Sequence, residues 1–193
     1  MAATTGLMTV EEFQKLKDPP GAYYELQHGE AVAVTRPKLK HIRIQERLRK
    51  LLETRAANVG LVLVEFPYRP LPEHEFWAAD VAYARWERFP GEDDDDDFAG
   101  APDLVVEVLS PSNTAEEIED KKTLCLENGA LEFWVLRGKA RTMTVYGTGT
   151  QKVYKSAGCV PVDRFFPDQP AIPVDEIFSD PRKKFVKNGS SEL

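Results

Sequence analysis

Apolar and polar positions recur with two different periods along this chain, and the changes of period mark its elements. Thr9 with Glu12 three residues on, followed by Phe13 and Leu16, spells a capping box that opens a short helix, which Asp18-Pro19-Pro20-Gly21 must end. Tyr23 to Gln27 and Glu30 to Thr35 read as two strands joined by a tight turn at His28-Gly29. From Lys38 to Asn58 the apolar Ile44, Leu48, Leu51 and Leu52 recur at three and four, which predicts a long helix with one buried face, stopped by Gly60. Residues 61–70 and 77–86 are strand-like, and strict alternation in the second puts Asp80 on the same side as Ala78, Ala82 and Ala84. Residues 103–109, dense in valine, predict a central strand covered on both faces. Thr114 with Glu117 is a second capping box, opening a helix that runs to about Asn128 and closes at Gly129. Three more strands follow at 131–137, 141–147 and 151–156. This order predicts an α/β fold, a mixed β-sheet flanked by helices, in one domain over 1–193 with its core at about 9–178. The proline-bearing stretch 157–193 reads as irregular, with a frayed C-terminal tail.

Composition narrows the class. No apolar run approaches the roughly 18 residues of a membrane span, and the first residues lack a basic then apolar leader pattern, so a cytoplasmic location without membrane contact is expected. Cys125 and Cys159 cannot make a disulfide framework. The net charge of −7 argues against a nucleic-acid coat protein, but Glu92 to Asp97 are six consecutive acids, and the rest of the chain is nearly neutral. The segment 87–100 is expected to be a solvated acidic loop, with contact to a partner as its alternative.

Several chemistries fail on spacing. His74-Glu75 has Ala78, not a second histidine, four positions after His74; no nucleophile elbow or phosphate-binding loop occurs, and the three histidines lack paired ligand spacing. Carboxylates on strands remain. Glu107 stands in the middle of Leu-Val-Val-x-Val-Leu, where an ionised group costs several kcal/mol unless paired or bound to a cation. Asp80 poses the same question in its own strand. If the two strands pair, the carboxylates lie about 5 Å apart and repel, and a hard divalent cation between them resolves both costs. Asp103 is about 13 Å from Glu107 along an extended strand and is expected to cap the strand entry instead. On the following helix Lys121 and Lys122 are both placed to reach the acids, and spacing does not choose between them. Seven basic residues lie between Arg36 and Lys50 against the single acid Glu46, and two readings of them stay open, a solvated face and a contact to a phosphate backbone.

Taken together, Tyr24-Glu25-Leu26 with Gly29-Glu30, His41 before the long helix, Asp80-Val81, Ala101 through Ser112, and Lys121 before Gly129 and Glu132-Phe133-Trp134 resemble the Uma-type restriction endonuclease family, which is similar to the PD-(D/E)XK nuclease superfamily. The resemblance implies a restriction-endonuclease-like core and hydrolysis of phosphodiester bonds in nucleic acid, DNA first, with Mg²⁺ or Mn²⁺. It makes Asp80 and Glu107 metal ligands with the backbone carbonyl of Val108, gives Glu25 a supporting place at the metal, and selects Lys121 over Lys122. Lys38, Lys40, His41, Arg43 and Arg47 would then hold the nucleic-acid backbone. Ala79 stands where the family has proline, Cys125 where it has an aromatic residue, and the acidic loop is unusual. The rival reading is a catalytically silent interaction module, a homodimer in one form, whose acidic loop binds a partner. A weaker third reading has the carboxylates act as general acid and base on a sugar without metal.

Overall fold

The computed structural model describes residues 6–89, 91, 97–111 and 113–180. The acid run at 92–96 and the tail expected to fray lie outside the described residues. Helix α1, Val10–Phe13, opens with the expected capping box, Thr9 and Glu12 each taking the other's backbone amide at 3.3 and 3.0 Å. Strands β1 (Ala22–Gln27) and β2 (Glu30–Thr35) form the antiparallel hairpin, turning through His28 and Gly29, both with positive φ. Val10, Phe13 and Leu26 bury a small core between α1 and the hairpin, with Phe76 packed against it.

Helix α2 spans Leu39–Ala56. It ends where Ala57 and Asn58 take left-handed backbone, φ +39° and +74°, and not at Gly60 as the spacing suggested. Gly60 instead opens β3, Gly60–Arg69, where a Cβ would lie 2.3 Å from the Ala84 carbonyl. The next strand allows the approach only because no side chain stands there.

The remaining elements are β4 (Trp77–Arg85), a 3₁₀ turn at Trp86–Arg88, β5 (Phe98–Ala99), β6 (Leu104–Val108), α3 (Ala115–Glu127, with the second capping box), β7 (Glu132–Arg137), β8 (Thr142–Gly147) and β9 (Thr150–Lys155). They build a mixed seven-stranded sheet in the order β5-β3-β4-β6-β7-β8-β9, with β6 antiparallel to β4 and parallel to β7. Every residue of β6 is buried, as the valine-rich run requires. On one face α2 lays Ile44, Leu48 and Leu52 against Val62, Val81, Tyr83 and Val106. On the other α3 lays Ile118 and Cys125 against Ala82, Ala84, Val105 and Phe133.

The stretch after β9 is not the irregular tail its prolines suggested. It makes a two-stranded pair, β10 (Cys159–Val160) with β11 (Ile172–Pro173), and a short helix α4, Val174–Ile177. Val160, Val162, Phe165, Phe166, Ile172, Val174 and Ile177 are all buried in the α2-side core. The apolar spacing there follows neither period because each residue answers a different part of α2 and the sheet.

Alternation breaks at one place in the sheet. On β3, Val62 faces the α2 side but Phe66 and Tyr68 the α3 side; on β4, Val81 and Tyr83 face α2 but Trp77 and Ala79 face α3. Both strands change faces between the register pairs Val64 with Val81 and Phe66 with Ala79, that is, at Glu65 and Asp80. Glu65 has φ +49°, and this one left-handed residue rotates the strand and resets which side the next residue occupies. Asp80 therefore does not join Ala82 and Ala84, as strict alternation predicted; its carboxylate meets α2.

Candidate active site

The central strand pair sets the frame. Val81 pairs with Val106, so continuing the register brings Asp80 opposite Glu107 at the carboxyl end of β6, where the ladder opens. Asp80 Oδ2 accepts from the Val108 amide at 2.6 Å, and Oδ1 accepts from His41 Nε2 at 2.7 Å and from Gln45 Nε2 at 2.8 Å. Three donors therefore hold this carboxylate in one orientation, two of them from the first two turns of α2. Burial opposes the His41 imidazolium, but the hydrogen bond and charge of Asp80, helped by Glu65, raise its pKa above the ordinary histidine value.

Glu107 points to the opposite layer. Its Oε1 is buried and has no hydrogen-bond partner, with the Lys121 ammonium 3.7 Å away. Lys121 is closer to Glu25 Oε2, at 3.1 Å. Burial pushes the Glu107 carboxyl up to about 8; Lys121 pulls it back, while the charges of Asp80, Glu25 and Glu65 push the same way as burial. Burial works against the Lys121 ammonium, but Glu107 and Glu25 outweigh it and hold its pKa above the usual lysine value. The ammonium also stands over the Trp77 ring, 5.5 Å from its centroid.

Glu25 reaches the site from the hairpin. It is buried, accepts from Gln27 Nε2 at 2.8 Å as well as from Lys121, and takes the Ala78 amide at 3.4 Å. Lys122, the lysine that spacing could not separate from Lys121, pairs with Glu119 on its own helix. The rotation from one residue to the next along α3 turns Lys121 toward Glu25 and Glu107 and Lys122 toward Glu119 and the Tyr146 ring.

The structure thus brings Asp80, Glu107, Lys121 and Glu25 around the open end of the β4–β6 ladder. It engages Val108 through its amide. His41 turns inward to Asp80, while Lys38, Lys40 and Arg43 are exposed on the first turns of α2, whose amino end carries no side-chain cap. Arg47 donates to Ser179 Oγ at 2.7 Å. Two residues of this cluster were not among the sequence candidates. Gln45 is buried with its amide between Asp80 and Glu65, 2.6 Å from Glu65 Oε1, and burial raises the Glu65 carboxyl above its usual range. Glu65 was open to the logic that found Glu107, since it interrupts the apolar run Leu61 to Phe66.

Among the described residues no three His, Cys, Asp or Glu side chains converge into a ready metal cage. The candidate donors for a cation are the hard carboxylate oxygens of Asp80 and Glu107. Glu107 Oε1 is unsatisfied, whereas both Asp80 oxygens already accept from His41, Gln45 and the Val108 amide, and the two side chains turn toward opposite layers and not side by side as strand pairing suggested. Beside Lys121 opens a cleft of about 300 Å³ lined by Gln27, His28, Trp77, Thr114, Glu117 and Asp120, among others.

A family model described as Uma2, putative restriction endonuclease, matches residues 10–177. Among solved structures the chain is similar to one described as a putative nuclease belonging to DUF820 from Anabaena variabilis. The two are 21% identical, the match covers 89% of this chain and 97% of that one, and the TM-score is 0.75. That likeness shows a shared fold, the mixed α/β sheet flanked by helices. Among curated proteins nothing matches.

Proposed function

Since the chain belongs to the Uma2 family, its fold and family are those of a restriction-endonuclease-like nuclease, and we propose that it is a Mg²⁺- or Mn²⁺-dependent endonuclease that hydrolyses phosphodiester bonds in DNA. The observation that carries this reading is the Lys121 ammonium between Glu25 and Glu107, at 3.1 and 3.7 Å, beside the register position of Asp80. Asp80 and Glu107, with the Val108 carbonyl, would hold the cation. When bound, it would offset charge on the phosphate and lower the pKa of water.

The chain's own groups supply the rest. His41, Gln45 and the Val108 amide orient Asp80. Lys121, fixed by Glu25, offers its ammonium to the phosphate or to the attacking water as negative charge grows. Lys38, Lys40 and Arg43, exposed at the amino end of α2, would grip neighbouring phosphates without reading bases, and Arg47 would extend that grip. His41, as an Asp80 partner, serves the site from inside and not the backbone of the substrate.

The test is cleavage of supercoiled plasmid and of oligonucleotides, with Mg²⁺ or Mn²⁺ and with chelator, by the native protein and by Asp80→Ala and Glu107→Ala purified in parallel. Metal-dependent cutting lost in both variants supports the reading. Cutting that persists in them, or that ignores the chelator, overturns it. Thermal melting adds an activity-free arm: millimolar metal should raise the midpoint of the native protein and not of Glu107→Gln. The absence of both cutting and a shift would favour the interaction module.

A further inference from the structure

Gln45 holds its amide nitrogen between two carboxylates, 2.6 Å from Glu65 Oε1 and 2.8 Å from Asp80 Oδ1. Both hydrogens of that nitrogen are thereby engaged. Turning the amide over would set its carbonyl lone pairs against an acid on each side, so Glu65 keeps the donor end of Gln45 on Asp80. Gln45 is buried, so water does not compete for either bond.

The backbone adds an independent observation. Glu65 sits mid-strand at φ +49°, a conformation that glycine adopts freely and a glutamate only under strain. Such strain persists where surrounding contacts over-determine it. Here those contacts are the Gln45 amide and the Tyr23 hydroxyl, which donates to Glu65 Oε2 at 3.4 Å. The strained residue lies opposite Asp80, at the point where both strands change faces.

We propose that Glu65 is a positioning residue: acting through Gln45, it sets the orientation of the Asp80 carboxylate and so the lone pairs that Asp80 turns toward a cation. Only the last clause rests on the metal-dependent reading. Glu65 itself is not a ligand in this scheme.

The Val108 amide, which donates to Asp80 Oδ2, reports that orientation in the metal-free protein, and the neighbouring Leu109 amide, bonded to the Leu136 carbonyl at 2.9 Å, is its control. Hydrogen exchange by NMR is measured in native protein, Glu65→Gly, Gln45→Ala and the double variant. Glycine suits the φ of position 65, so Glu65→Gly should fold at least as well as the native chain, and Glu65→Gln, which keeps an acceptor for Gln45, should behave like native. The expected result is Val108 exchange about tenfold faster in each single variant and no faster in the double, with Leu109 unchanged. Mn²⁺ dissociation constants should rise about tenfold in the same three variants. Native-like Val108 exchange in Glu65→Gly, additive effects in the double, or native-like Mn²⁺ affinity in a protein that does bind Mn²⁺ would each overturn the proposal. If the native protein binds no Mn²⁺ while Val108 responds as expected, the positioning role stands and the metal-dependent reading falls.

Discussion

Two carboxylates stand at the two ends of the central strand and meet opposite fates. Asp103, just before β6, is fully buried and saturated: its Oδ2 accepts the Arg85 amide at 2.9 Å, and its Oδ1 takes Arg85 Nε and Nη2 at 3.0 and 2.8 Å. Glu107, four residues on, is buried beside an ammonium but leaves Oε1 without a hydrogen bond. Arg85 keeps half of its side chain in water, so the guanidinium that satisfies Asp103 gives up little hydration. Lys121 is mostly covered and divided between two acids. Burial is common to both ends of the strand; what separates an acid that holds the fold from one free to act is whether its lone pairs are already used.

That contrast breaks most visibly in activity. Glu107→Ala and Asp80→Ala should each lower plasmid cleavage by about a thousandfold, whereas Asp103→Asn, assayed at a temperature where it is folded, should stay within a few-fold of native. The order reverses for stability. Asp103→Ala leaves the Arg85 amide unpaired and should cost about 2–3 kcal/mol in urea unfolding, discounted because Arg85 can return to water. Glu107→Gln should be neutral or stabilising in the metal-free protein, since it removes a buried, underpaired acid. A thousandfold loss of cutting in Asp103→Asn would erase the distinction.

A titration sharpens it further. The folded-state pKa of Glu107 is pushed up to about 8 from 4.5, so the folded protein holds a proton that the unfolded chain releases. This contribution is fully present below 4.5 and is lost as pH rises toward 8, so metal-free stability should fall across that window and Glu107→Gln should flatten the slope. The smallest effect belongs to the lysine facing away. Lys122→Ala, which removes a pair with Glu119 and a contact over the Tyr146 ring, should change stability by about 1 kcal/mol or less and leave cleavage intact. Lys121→Ala should abolish it.

Much of this was legible in the residues themselves. The two capping boxes, the hairpin and the valine-rich strand are local signals, and each appears where local chemistry dictates. Glu107 was legible because an acid in an apolar strand demands an explanation. Its partner lysine was not, since Lys121 and Lys122 share nearly the same helical face, and the family resemblance separated them. Glu65 carried the same signal as Glu107, an acid in an apolar run, but its link to Asp80 through Gln45 was hidden for a different reason. That link depends on the left-handed backbone of Glu65 inside a strand, which no periodicity announces and which moved Asp80 off the alanine face. The buried residues of 159–178 escaped because they pack individually on α2 and share no regular face.

The hairpin's contribution has a further consequence. Glu25, the nearest partner of Lys121, is carried by a segment whose own core is only Val10, Phe13 and Leu26, while the sheet behind it is clamped by two much larger layers. Warming should loosen that small amino-terminal cap first, so heat inactivation should run several degrees ahead of loss of the sheet.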